Sequence, residues 1–185
     1  MSRRYQTPAK ANLLEFAKTG CLGPLKLELP LKEATKILGA PPKFVTMHNF
    51  PGSFTWFISD LVIQFNDYDL LSCISSYSGQ LNYGGTRLVI DPWIIRYGLT
   101  LKEFTSTLKR LDIGFGPITQ VLGNDENVTV TVNKVTTFEF EPKADTTFGE
   151  FGLVSWRTSP EECKKLFEKL YKERFNKDRS PEPQE

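Results

Sequence analysis

The sequence predicts an α+β fold made of two tandem helix-plus-antiparallel-sheet repeats, with the helices on one sheet face and a C-terminal helix to finish. Three observations carry that expectation. Leu29-Pro30-Leu31-Lys32-Glu33-Ala34-Thr35 returns as Leu99-Thr100-Leu101-Lys102-Glu103-Phe104-Thr105, with Leu38 and Leu108 beyond each copy. Each copy is followed at similar spacing by an aromatic β-type run, Ile63-Gln64-Phe65 and then Phe138-Glu139-Phe140. A second run comes next, Leu70-Leu71-Ser72-Cys73 or Leu153-Val154-Ser155-Trp156. In 127–133, Val128, Val130 and Val132 fall on one side and Thr129, Thr131 and Asn133 on the other, the alternation of a sheet with one covered and one wet face. The expected units are residues 1–82 and 83–176, followed by a disordered tail, 177–185. Residues 83–92 lack linker composition, so one continuous body is expected.

The elements follow in order. Residues 9–19 place Leu13, Phe16 and Ala17 on one side of a short helix that Gly20 and Gly23-Pro24 end. Leu31, Ala34 and Leu38 stripe the next helix, which Gly39 stops before Pro41-Pro42. In its counterpart Thr100 and Glu103 have capping-box spacing, and Leu101, Phe104, Leu108 and Leu111 form the stripe. Strands are expected at 43–47, 54–58, 61–66 and 70–77, then at 118–122, 127–133, 135–141 and 151–156. Asn66-Asp67-Tyr68-Asp69 suits a tight turn, because Asn and Asp tolerate positive φ and bond their own backbone. Ser159-Pro160-Glu161-Glu162 opens the final helix, whose buried stripe is Cys163, Leu166, Phe167 and Leu170.

Composition narrows the function classes. The 23 basic and 22 acidic side chains nearly cancel, so no broad field for a phosphate backbone is expected, and nucleic acid is not an expected partner. No apolar stretch reaches the roughly 20 residues of a membrane span. Lys10, Glu15 and Lys18 interrupt what a secretory signal keeps apolar. Three scattered cysteines, Cys21, Cys73 and Cys163, read as reduced thiols, and the expected location is cytoplasmic.

Chemistry-bearing groupings are sparse. His48 is the only histidine, which leaves no triad, relay or zinc spacing. Asp67 and Asp69 lack the glycine and later glutamate of a calcium loop. Gly114-Phe115-Gly116 lacks the third glycine of a dinucleotide fingerprint. Glu139 and Glu141 share a strand face about 7 Å apart by strand rise, a spacing open to paired-carboxylate catalysis, but alternation with Phe138 and Phe140 is what a half-solvated strand shows without any catalysis. No enzyme activity and no cofactor are expected. The surface expected to bind a partner is the uncovered sheet face: Gln64 and Asn66 in the first unit, and Thr129, Thr131, Thr137, Glu139 and Glu141 in the second. Trp56 is expected there as an aromatic anchor.

The segment Gly23-Pro24-Leu25-Lys26-Leu27, followed by Leu31-Lys32-Glu33 and Leu38-Gly39-Ala40-Pro41, resembles a pattern in uncharacterised bacterial proteins, as do Asp60-Leu61-Val62-Ile63-Gln64-Phe65 and Asp91-Pro92-Trp93. Those proteins look like immunity components of bacterial toxin systems. The resemblance implies a non-enzymatic protein that neutralises a toxin domain; the alternatives are a general interaction scaffold and, after it, a carboxylate- or cysteine-dependent enzyme. The repeated unit is also similar in architecture to the beta-lactamase inhibitory protein and to small outer-membrane-assembly lipoproteins. A fold does not transmit its partner.

Overall fold

Asn12 sets the first boundary. Its side-chain oxygen accepts from the Leu14 and Glu15 N–H groups at 2.7 and 3.2 Å, capping helix α1 (Leu13–Thr19). The helix expected over 9–19 therefore starts four residues later, and Ala9–Asn12 is a strand, β1. Its backbone has a competing partner that helical periodicity does not reveal: β1 pairs in parallel with β6 (Leu88–Asp91), and the Asn12 amide donates to Asp91 at 2.6 Å. The computed structural model describes residues 7–41, 43–46, 53–76, 87–116, 119–120, 127–142, 151–158, 165 and 168–169. Lys165, Glu168 and Lys169 are helical. The rest of the expected final helix, with Cys163, His48 and the tail, lies outside the described residues.

Helix α2 (Leu31–Leu38) follows Pro30, which supplies no side-chain cap, and ends at Gly39 with φ +79°. Helix α3 (Leu101–Arg110) has the full capping box: Thr100 Oγ1 accepts from the Glu103 N–H at 3.2 Å, and the Glu103 carboxylate accepts from the Thr100 N–H at 3.0 Å. The helix stops at Arg110, so Leu111, expected in the buried stripe, is exposed. Between α1 and α2, Gly23 has φ +60°, and a Cβ there would overlap the Lys10 carbonyl oxygen. Only glycine fits both demands.

Four strands follow α2: β2 (Lys43–Thr46), β3 (Phe54–Ile58), β4 (Leu61–Phe65) and β5 (Leu71–Ser76). Four follow α3: β7 (Thr119–Gln120), β8 (Val128–Val132), β9 (Thr136–Pro142) and β10 (Phe151–Thr158). They form one antiparallel eight-stranded sheet in the order β2-β3-β4-β5-β10-β9-β8-β7. Each group of four is a meander, and the two meet through their last strands, with Ser75 opposite Arg157 and Ser76 opposite Trp156. Thr158 fastens this seam, its hydroxyl accepting from the Ile74 N–H at 3.2 Å and lying 3.3 Å from the Ile74 carbonyl. The expected Asn66 turn is present: its Oδ1 accepts from the Tyr68 and Leu70 N–H groups at 3.0 and 3.1 Å.

The backbone around the helices is tied to the sheet in the same way on both sides. The Leu29 carbonyl accepts from the Leu71 N–H, and the Leu99 carbonyl from the Leu153 N–H, each at 2.9 Å. A register shift interrupts β5 between Leu71 and Cys73, opposite Phe65 and Gln64, and another interrupts β10 between Leu153 and Ser155, opposite Phe140 and Glu139. With these bulges matched, Ile63 stands where Phe138 does, Gln64 where Glu139 does, Val62 where Thr137 does and Cys73 where Ser155 does.

The core lies on the helix-facing side of the sheet. Phe16 of α1 meets Trp156 edge-on at 4.9 Å, and Phe104 of α3 packs on Phe138 and Phe140 at 4.6 and 5.5 Å. Such aromatic pairs add about 0.5–1.5 kcal/mol each beyond their buried area. Although α1 comes early in the chain, it docks on late strands: Thr136 Oγ1 donates to the Ala17 carbonyl at 2.9 Å. With β1 on β6, that contact interlocks the two halves of the sequence.

Candidate functional site

Strand pleating puts alternate side chains on opposite faces. Phe138, Phe140 and Trp156 point to the helices, so their neighbours Thr137, Glu139, Ser155 and Arg157 point the other way. Registers across β8 add Thr129 and Thr131 to this second face, and registers across β3, β4 and β5 add Thr55, Phe57, Val62, Gln64, Cys73 and Ser75. The face is continuous through the seam, where Ser75 lies beside Arg157.

Six expected partner-facing residues are on it. Gln64, Thr129 and Thr131 are half-buried there, and Glu139 is held at its centre in the second half. Glu141 lies exposed further along β9. Trp56 is not among them. It is opposite Ile63, is 4% exposed, and packs on Phe65 at 4.8 Å beneath the helices. One step of register decides the face, and with Phe54 and Phe65 stacked at 5.1 Å beside it, Trp56 belongs to the core. Asn66 is also displaced from the face, because it leaves the strand and its side-chain oxygen is consumed by the turn. Thr137 has the expected orientation but not the expected exposure: it is 4% exposed, a short side chain between Arg157 and Thr131 in register.

The Glu139 carboxylate is held by two side-chain hydrogen bonds on this face. Asn127 Nδ2 donates to its Oε1 at 3.0 Å and Ser155 Oγ to its Oε2 at 2.9 Å. Among the described residues no cation pairs with it. Arg157, the basic residue of β10, is exposed and makes no ion pair with Glu139. Two buried side-chain oxygens, Asn127 Oδ1 just before β8 and Thr137 Oγ1 of β9, have no hydrogen-bond partner among the described residues. Alternation from Thr129 places Asn127 on the wet face. Ser155 was legible only from the pairing with Glu139, which the bulge sets.

A separate open cleft of about 350 Å³ lies along α3, lined by Ile94, Arg96, Leu99, Glu103, Ser106, Thr107 and Arg110. Its polar centre is internally paired: Arg96 bonds Glu103 at 3.0 Å. The Thr100 N–H, and after it Arg96, hold the Glu103 carboxyl below its ordinary value. That pairing is the capping box extended by one cation, so it serves α3.

Comparison with protein-family models, with curated proteins and with solved structures found no match to this chain. The resemblance to immunity components therefore rests on its motif residues alone. Among the described residues, no group of three or more His, Cys, Asp or Glu side chains is arranged to hold a metal ion, and no helix is long and apolar enough to cross a membrane.

Proposed function

We propose that this protein is a non-enzymatic protein-binding module of the immunity type, which neutralises a toxin domain through the sheet face opposite its helices. One observation carries the reading: the face holds polar groups from both meanders, continuous across the β5·β10 seam, with Phe57 and Val62 among them in the first half, while the large aromatics of the second half are spent on the core. The accessible groups Gln64, Thr129, Thr131, Glu139, Glu141 and Arg157 of this face are polar, which suits recognition of another protein, whose affinity comes from complementarity over many contacts. A cytoplasmic setting belongs to the same reading and rests on the three scattered cysteines, Cys21, Cys73 and Cys163.

The reading includes an origin by duplication, with one helix-plus-meander unit in 1–82 and another in 83–176. The matched carbonyl contacts of Leu29 and Leu99, and the matched bulges in β5 and β10, support it. The experiment is co-expression with the toxin-like product of a neighbouring gene. Rescue of growth and a stable complex are the expected result. A neighbouring product that neither binds nor is neutralised removes the reading.

A further inference from the structure

We propose that the cleft along α3 is a docking site for an acidic segment of a protein partner, one of whose carboxylates enters the cleft and pairs with Arg110. The cleft is on the helix side, apart from the sheet face, so the proposal goes beyond the reading above without resting on it. Ser106, Thr107 and Arg110, with Glu103 before them at helical spacing, form one wall, and the loop carrying Ile94, Arg96 and Leu99 forms the other. That loop is fixed to the fold: Ile95 is buried, Trp93 meets Phe104 at 6.1 Å, and the Leu99 carbonyl accepts from the Leu153 N–H.

The charges of the cleft do not cancel. Arg96 is committed, its Nη2 donating to Glu103 at 3.0 Å and its Nη1 to the Ile94 carbonyl at 3.4 Å. The Glu103 carboxylate is committed in turn, to Arg96 and to the N–H and hydroxyl of Thr100. Arg110 makes no ion pair among the described residues, so the lining keeps one unbalanced positive charge. Hydroxyl donors accompany it. Thr105, outside the lining, turns its hydroxyl back to the Leu101 and Lys102 carbonyls, whereas Ser106 and Thr107 make no such bond among the described residues. A ligand that meets one guanidinium, two hydroxyls and the apolar Ile94 and Leu99 is a singly charged oxyanion on an aliphatic stem. An Asp or Glu side chain has that form; a phosphate, with about 1.5 to 2 negative charges at neutral pH, exceeds the charge available.

A second observation points to a protein as the bearer of that carboxylate. Residues 96–99 make a tight turn, the Leu99 N–H donating to the Arg96 carbonyl at 3.1 Å with Gly98 at φ +77°. Its corner is Tyr97, an aromatic side chain 84% exposed where small polar residues are usual. Tyrosine next to arginine is the composition that carries binding energy in protein contacts.

The test titrates the full chain with the blocked peptide Gly-Glu-Gly-Glu-Gly-Glu at low ionic strength, followed by proton–nitrogen correlation spectra. The glutamine version of the peptide, sodium acetate and inorganic phosphate are the comparisons. Saturable shifts are expected at Ile94, Arg96, Ser106, Thr107 and Arg110, with each comparison binding more weakly. Arg110→Gln should weaken binding about fivefold or more, the difference between a charge-assisted and a neutral hydrogen bond, and Tyr97→Ser should weaken it less. Lys109→Gln removes the same charge from the same last turn of α3 but outside the cleft lining, and should leave binding unchanged. Dispersed spectra verify that all three variants fold. Affinity undiminished in Arg110→Gln, an equal loss in Lys109→Gln, or equal binding of the glutamine peptide, acetate or phosphate overturns the proposal. The co-expression experiment needs neither this cleft nor this peptide, so the failure of one leaves the other readable.

Discussion

On the helix-covered face the two meanders carry the same aromatic load on different strands. In the first half Phe54, Trp56 and Phe65 supply it from β3 and β4; in the second, Phe138, Phe140 and Trp156 supply it from β9 and β10. Where Trp56 stands in β3, β8 has Val130, and where Ile63 stands in β4, β9 has Phe138. On the other face the halves diverge in character. Phe57, Val62, Gln64 and Cys73 in the first half are matched by Thr131, Thr137, Glu139 and Ser155 in the second. A core fixes total volume and apolarity while leaving open which strand supplies the bulk. An outer face is under no such demand, so a difference there is where a specific chemistry can be read.

The inner-face half of this comparison breaks most readily at Trp56. Its removal leaves a cavity under the helices, and Trp56→Ala is expected to cost about 3–5 kcal/mol, the range for a large buried aromatic. The matched change in the second half, Val130→Ala, removes far fewer buried atoms and should cost clearly less. Urea denaturation of both variants measures the contrast. Equal losses would mean that the aromatic load is not distributed as the registers place it.

Much of this layout was legible in the sequence because it rests on local signals. The capping box at Thr100 and Glu103, the Asn66 turn, the stop at Gly39 and the valine alternation of β8 each involve residues within a few positions of one another. Less visible were effects set by distant partners. Residues 9–12 follow a helical pattern but are extended, because β6 offers a parallel strand some 79 positions away and Asn12 bonds Asp91 across that distance. Trp56 lay in a run where Phe54, Trp56 and Phe57 are all apolar, so alternation alone left its face open; the register with Ile63 closes the choice. At the candidate site, Glu139 and its orientation were readable, whereas the Ser155 contact depends on a bulge that moves β10 by one residue.

The helices offer a second, smaller contrast. At the same point of the repeated sequence α2 is preceded by Pro30, with no side-chain cap, and α3 by Thr100, with two reciprocal hydrogen bonds. Thr100→Ala should therefore destabilise the protein by about 1 kcal/mol, the usual worth of an N-cap side chain. Pro30→Ala removes no cap bond, so any loss there comes from freeing the unfolded chain. Thermal denaturation of the two variants separates these causes: a cap-dependent loss at Thr100 that is absent at Pro30 sustains the contrast, and equal losses dissolve it.

The smallest expected effect isolates the charge in that capping box. Glutamine can replace glutamate as the reciprocal acceptor in this motif, so Glu103→Gln keeps the hydrogen bonds to Thr100 and removes only what ionisation adds. In the folded protein the Thr100 N–H, followed by the Arg96 guanidinium, lowers the Glu103 carboxyl from its ordinary 4.5. A carboxyl whose folded value is depressed binds fewer protons than its unfolded counterpart over the interval between the two values, so stability rises with pH across that interval. The contribution is fully present above the ordinary value and disappears as pH falls through the folded one. Wild type should accordingly exceed Glu103→Gln by a constant, small margin at neutral pH, and the margin should close on acidification below pH 4.5. Because the pair is exposed, added salt should shrink the margin at neutral pH as well. Denaturant midpoints of the two proteins across pH, at low and high salt, measure both trends, and a margin that persists unchanged into acid would show that the carboxylate charge contributes nothing to the difference between the two helices.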